Sequence, residues 1–250
     1  MRDAVPLEIR RAESDDVAAI ANVKRMVWPT ETTDLSQIAR AIEDPSHVTF
    51  VAQLEGVIVG FVDGFVTVSD DGMRRWEVDL LGVIPEYRGQ RIGERLVQAS
   101  TAAGAQRQVA LARGLVHIQN VASQRTFARC GYDPDDMLLN LYISAESADG
   151  VPERSPSGSL IPVQTFNYRG LWIEGHLSEE AFLAAQAARA RGNLDLVGAL
   201  IPADQVESNA AAHASGFRRV GPYQWWRKDI QHSAISQTTG PFGRPRDLAV

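Results

Sequence analysis

Six residues, Arg88-Gly89-Gln90-Arg91-Ile92-Gly93, stand between a strand-like run and a helix-like run. Upstream, Trp76 to Val83 is apolar and β-branched enough for a strand in a sheet centre, and Pro85 ends it because proline donates nothing to a ladder. Downstream, Ile92, Leu96, Val97 and Ala103 share one helical face. Gly89 and Gly93 let the backbone turn and let a bulky group approach it. A helix opening from such a loop points unpaired N–H groups, and the positive end of its dipole, at one spot. That spot suits a phosphate or pyrophosphate. Each N–H bond to a charged oxygen contributes about 1.5–3 kcal/mol, so about four or five would hold a large anionic ligand.

The strand ahead of the loop carries two carboxylates, Glu77 and Asp79. By the two-residue period of a strand they fall on one side together with Leu81 and Val83. The plainest role for both is a salt-bridged strand residue. The second is proton transfer beside whatever the loop binds.

The loop resembles the acyl-CoA signature of the GCN5-related N-acetyltransferase (GNAT) superfamily, in which Gln/Arg-x-x-Gly-x-Gly/Ala follows a strand. Here Arg91 stands where the middle glycine is usual. The resemblance covers roughly residues 5 to 145. It implies a mixed, mostly antiparallel sheet with helices on both faces, and acetyl-CoA as the cofactor. Arg88, Gly89, Gln90, Arg91, Ile92 and Gly93 would hold the pyrophosphate. The main chain of Leu81, Gly82 and Val83 would pair with the pantetheine arm. The superfamily's second signature, Asn-x-x-Ala followed by Tyr and Gly-Phe, reads here as Asn120, Ser123, Phe127, Gly131 and Tyr132. The resemblance gives Asn120 a bond to the pantetheine arm; helix N-capping is equally good chemistry for it.

An amine acceptor has a pKa of about 10.4, so its free base costs about 4.6 kcal/mol near neutrality. Glu77 occupies the place where histone-type members keep their base, and Asp79 is the reserve. The tyrosine that protonates the leaving thiolate in many members is Phe127 here, which cannot do so; Tyr132 and Tyr142 are substitutes within reach in sequence. The implied activity is transfer of an acetyl group from acetyl-CoA to a primary amine of a small molecule or protein. Phe127 favours the alternative, a non-catalytic acyl-CoA-binding or interaction module. Acyl transfer to a hydroxyl or thiol shares the fold.

The remaining elements must position these groups. Strands are expected at Leu7 to Arg11, Val48 to Leu54, Val57 to Val68, Val109 to Ile118 and Met137 to Ile143. Glu55-Gly56 makes a hairpin turn. Helices are expected from Val17 to about Trp28, from Leu35 to Ile42, and from Val121 to Arg129, the last ended by a left-handed Gly131. The acceptor would enter from the Trp28 to Leu35 side. A weak internal repeat follows at an offset of 85 residues, Ser123 to Ser208 and Gly131 to Gly216. In it Ser178 caps a helix to Arg191, Asn193 to Ile201 is a strand and Phe217 to Lys228 a closing strand. Its loop, Ile173 to Ser178, has one glycine and no arginine, so no cofactor is expected there. Its expected job is to cover an edge of the first sheet and wall the acceptor cleft. The fold class that the resemblance implies is therefore α/β with a mixed sheet, a GNAT-like domain followed by a shorter GNAT-like repeat. The expected boundaries are 1–147, a linker at 148–159, a second domain at 160–230 and a tail at 231–250.

Bulk properties set the limits. The chain has 250 residues, an apolar share of 44% and a formal net charge of −6. The charge argues against nucleic acid and anionic membrane as partners. No apolar run reaches the length of a membrane span, and the first residues show no secretory pattern. The single cysteine, Cys130, can form no internal disulfide, which suits a reducing cytoplasm. The five histidines are scattered, without metal-ligand spacing. A homodimer is compatible with all of this.

Overall fold

The computed structural model describes residues 7–148 and 158–230. Most of the predicted linker and the whole predicted tail lie outside the described residues. The first half runs β1 (Glu8–Arg11), α1 (Val17–Val27), α2 (Leu35–Glu43), β2 (Phe50–Leu54), β3 (Val57–Val68), β4 (Arg74–Val83), α3 (Ile92–Ala105), β5 (Leu111–His117), α4 (Val121–Arg129), β6 (Asp133–Pro134) and β7 (Leu139–Ser144). The second half runs β8 (Gly158–Gln164), β9 (Arg169–Gly175), α5 (Glu179–Arg191), β10 (Leu196–Pro202), α6 (Val206–Ala214) and β11 (Arg218–Asp229).

Sequence periodicity located most of these elements. The hairpin β8–β9, the two-residue β6 and α6 are the exceptions. The first strand of the hairpin begins at Gly158, so the expected linker ends before residue 159. The repeat is present in the element order: β5 and β10, and α4 and α6, begin 85 residues apart, and Gly131 and Gly216 both close their helices at positive φ, 77° and 76°. Each half also pairs its first crossover in parallel, β4 with β5 and β9 with β10.

The second half does not cover an edge of the first sheet, as expected; it enters it. The strand order is β1-β2-β3-β4-β5-β11-β7-β10-β9-β8, with β6 beside β11. The last strand among the described residues, β11, lies antiparallel between β5 and β7. The last strand of the first half, β7, lies antiparallel to β10. The halves have thus exchanged their closing strands.

Helices pack on both faces. On one face, α3 covers Val62, Trp76, Val78 and Ala112 with Leu96 and Val97. Trp76 is fully buried and donates Nε1–H to Ser100 at 3.0 Å. Gly64 and Gly104 make room for it, since a Cβ at either would lie 2.4 Å from its ring. On the other face, α1 and α2 bury Ile20, Val23 and Ile38 against Phe61 and against Phe166 of the β8–β9 turn. A smaller cluster joins Phe65 of β3 to Ile161 and Val163 of β8. The sheet therefore curls until its second half packs against β3 and β4.

Because β5 has β11 as its outer neighbour, a chain ending at Ser147 leaves one side of β5 unpaired and strips β7 of both partners. Such a truncation is expected to lose cooperative folding, with a poorly dispersed amide NMR spectrum where the full chain gives a dispersed one.

Candidate active site

β4 and β5 pair only through Arg75–Leu111, Trp76–Ala112 and Glu77–Arg113. Beyond that rung they part, while β4 keeps β3 as its neighbour as far as Val83. The opening leaves the β5-facing side of β4 without a strand partner. A cavity of about 690 Å³ fills this gap and continues toward β9 and β10.

Within the gap β4 carries one extra residue. Phe61 pairs with Gly82 and Asp63 with Asp79, so two steps on β3 match three on β4. Leu80 absorbs the bulge at φ 40°. This corrects the simple two-residue period. Glu77 and Asp79 do share a face, but Leu81 and Val83 turn to the opposite one and pack against the α3 core. Leu80 and Ile84 instead face α1. A leucine in the left-handed region costs roughly 1–3 kcal/mol and such strain concentrates at functional sites.

The two carboxylates have different surroundings. Glu77 is 2% exposed. It accepts from Arg113 Nε at 2.9 and 3.0 Å and from the Thr67 hydroxyl. Arg75 and Arg113 also reach Glu174 of β9, at 2.8 and 3.4 Å. The Arg113 guanidinium lies 3.9 Å over the Trp225 ring. Glu77 thus belongs to a charge quartet between the halves and does not itself line the cavity, which Glu174 does. Asp79 does line it, with Glu31, Trp28, Tyr168 and Trp172. Burial, then the neighbouring charge of Asp63, pushes its carboxyl up to about 7. A group with that proton affinity can accept and return a proton near neutrality.

The anion loop has the geometry of a cradle. Gly89 stands at φ 81° and Arg91 at φ 59°, directly before α3. Arg91 thus adopts the left-handed conformation that glycine would take without cost, and its side chain is 75% exposed, 3.9 Å from Glu94. No side chain caps α3, which leaves the first-turn N–H groups of Ile92, Gly93 and Glu94 available. Ile92 anchors the turn in the core. A Cβ on Gly93 would meet nothing of the protein closer than 3.6 Å, and one on Gly89 nothing within 4 Å; packing within the protein does not require either glycine. Gln90 is exposed. Arg88 is exposed but folds back along the loop, its Nε donating to the carbonyl of Val83 at 3.0 Å, so it braces the loop. These features fit a diphosphate.

Asn120 lines the cavity and caps α4, its Oδ1 accepting from the Ser123 N–H at 3.1 Å. Phe127 is buried at the cavity wall, against Gly114 and edge-on to Tyr132. The Tyr132 hydroxyl is engaged with Thr101 at 2.6 Å, and that of Tyr142 with Asn209 at 3.1 Å and His213 at 3.2 Å. Neither tyrosine lines the cavity. The tyrosines that do are Tyr168 and Tyr223, which sequence reasoning passed over because both come from the second half. Tyr168 accepts from Trp172 Nε1 at 2.9 Å. Tyr223 packs edge-on to His117 of β5; burial, with the charge of Glu31, raises its pKa. Lys24, fully buried, donates to the carbonyl of Thr32 at 2.8 Å, which pins the loop that carries Trp28 and Glu31 to the cavity mouth.

Residues 14–132 match the sequence model of the acetyltransferase (GNAT) family. No curated protein sequence matches the chain. Among solved structures, a putative acetyltransferase from Pyrococcus horikoshii superposes with a TM-score of 0.60 at 12% identity, over 90% of each chain. A tandem GNAT protein from the clavulanic acid biosynthesis pathway gives 0.57 at 14%, over 90% of this chain and 99% of its own. A GCN5-related N-acetyltransferase from Sphaerobacter thermophilus gives 0.57 at 13%, over 91% and 97%. At these identities the likeness is one of fold, and it spans both halves. The strand–loop–helix cradle and the parted strands both fall within residues 14–132, the region that matches the acetyltransferase (GNAT) family.

Proposed function

We propose that this protein transfers the acetyl group of acetyl-CoA to a primary amine, with Asp79 as the base. The observation that carries the reading is the position of Asp79: two residues past the last β4–β5 rung, on the wall of the cavity between the halves. Acetyl-CoA supplies an acetyl group activated as a thioester. The residues that would hold it are the α3 cradle from Gly89 to Gly93, the open side of β4 at Leu81, Gly82 and Val83, and Asn120 across the gap. Arg88 supports the cradle through Val83.

The chain's own contribution to the chemistry is to hold the acceptor and remove its proton. Asp79 takes a proton from the ammonium at its carboxylate and passes it toward solvent along the cavity. Glu77, second to it, keeps Arg113 and the rung in place. The cavity wall combines carboxylates (Glu31, Asp79, Glu174) with aromatic faces (Trp28, Trp172, Trp225). Such a lining suits a cation. Because the second half closes over it, the acceptor that fits is a small-molecule amine rather than a lysine on a folded protein. The second reading, a non-catalytic acyl-CoA-binding module, draws on Phe127 and on the engagement of Tyr132 and Tyr142 elsewhere.

Acetyl-CoA should raise the melting temperature of the wild type, and Gly93→Asp should abolish that shift by placing a carboxylate in the cradle. Thiol release with a panel of small amines should fall about 10²–10⁴-fold in Asp79→Asn with acetyl-CoA binding retained; binding without turnover on any amine would support the second reading instead. Stability gives an independent check. The Asp79 carboxyl is held at about 7 in the folded state, against about 3.9 unfolded. A raised pKa contributes stability that is complete below about pH 4 and is lost as pH rises through about 7. Asp79→Asn should therefore melt above the wild type at about pH 8 and not at about pH 4, by scanning calorimetry.

A further inference from the structure

Asp63 of β3 and Asp79 of β4 are direct partners across the antiparallel pair. Side chains so placed share a face with Cβ atoms about 4.5–5.5 Å apart. Both oxygens of Asp63 are engaged: Oδ2 with His47 Nδ1 at 2.8 Å and Oδ1 with the Thr49 hydroxyl at 2.7 Å. Asp63 is completely buried, His47 is 3% exposed, and the imidazole is stacked on Phe65 at 4.9 Å. Among the described residues, the Asp79 side chain has no such side-chain partner.

Two carboxylates side by side do not both ionise without cost. Asp63 already has an imidazole and a hydroxyl as partners, whereas Asp79 has neither and is the one left to carry the proton. We propose that Asp63 is a positioning residue: clamped by His47 and Thr49, it holds a fixed negative charge against Asp79 and so sets the pH at which Asp79 exchanges a proton with the cavity. The proposal rests on the reading of Asp79 as the base. The direction of the His47 shift agrees with it. Burial opposes charge on the ring, and the bond and charge of Asp63, helped by Asp44 and Asp79, outweigh it, so that its pKa is raised. The other ionisable groups around Asp79 are Glu77 on its own strand, Tyr168 from the β8–β9 turn, and, along the cavity, Glu31, His117, Asp135, Glu174, Tyr223 and Arg227. None of these stands opposite it in the sheet.

The test is the carboxyl ¹³C titration of aspartate-labelled protein without acetyl-CoA, with the Asp79 signal assigned by its loss in Asp79→Asn. Asp63→Asn removes the fixed charge, and the Asp79 midpoint should move to lower pH by about 1–3 units. His47→Gln keeps a hydrogen-bonding group but removes the cation, and the midpoint should move to higher pH. The acid limb of kcat/KM should follow both shifts. Opposite shifts from two neighbours are not what a merely structural role produces. A midpoint unmoved in both folded variants, or moved the same way in both, overturns the proposal. If Asp63→Asn does not fold, His47→Gln decides alone: a shift to higher pH supports it and any other result overturns it. Opposite shifts in a protein that acetylates no amine support the pair and remove only the transferase reading. Transfer with an unmoved Asp79 midpoint overturns the pair and leaves the transferase reading standing.

Discussion

The rung between Glu77 and Arg113 is the interaction on which the rest of the structure depends. It is the last point at which β4 and β5 pair. Glu77 uses both oxygens, Arg113 continues to Glu174, and the Trp225 ring backs the guanidinium. A buried charge needs such partners, because removing one of a pair leaves the other uncompensated at a cost of about 3–5 kcal/mol. The quartet therefore determines where the sheet stops being continuous. Past it, the strands are free to diverge, and Asp79 falls just inside the opening.

Both sides of that opening must stay rigid without each other. β4 keeps β3, and the extra residue at Leu80 bends it away. β5 keeps β11, which the second half supplies. The exchange of β7 and β11 makes neither half complete alone and places β9, with Glu174 and Trp172, over the first half's site. The second half is thus a wall and a structural neighbour of the cavity. Its own helix α5 opens with Ser178, whose hydroxyl accepts from the Ala181 N–H at 3.3 Å, whereas α3 opens with no side-chain cap.

Much of this was legible in the chain itself. The amphipathic runs, the turn at Glu55-Gly56, the left-handed Gly131 and the 85-residue repeat are local signals, and local backbone chemistry produces them. So is the cradle: glycines at 89 and 93, next to a strand on one side and a helix on the other, restrict the backbone to few conformations. The bulge at Leu80 left only a faint trace, the adjacent leucines 80 and 81 that break the alternation of Trp76-Glu77-Val78-Asp79, and a strict two-residue period passes over it. The β8–β9 hairpin was missed for a similar reason, its first strand following directly on a stretch rich in proline, glycine and serine.

The sequence by itself determined most of the elements, where the glycine-bearing loop before α3 lies, and that two carboxylates share a strand face. It could not rank them. Glu77 and Asp79 differ in surroundings because Arg113 and Thr67 converge on the first, while Asp63 and an open cavity meet the second. Nor could it show that the halves trade strands. Strand pairing and charge neutralisation join residues tens of positions apart, and their energies depend on which groups lose water together. Only the closed tertiary structure decides that.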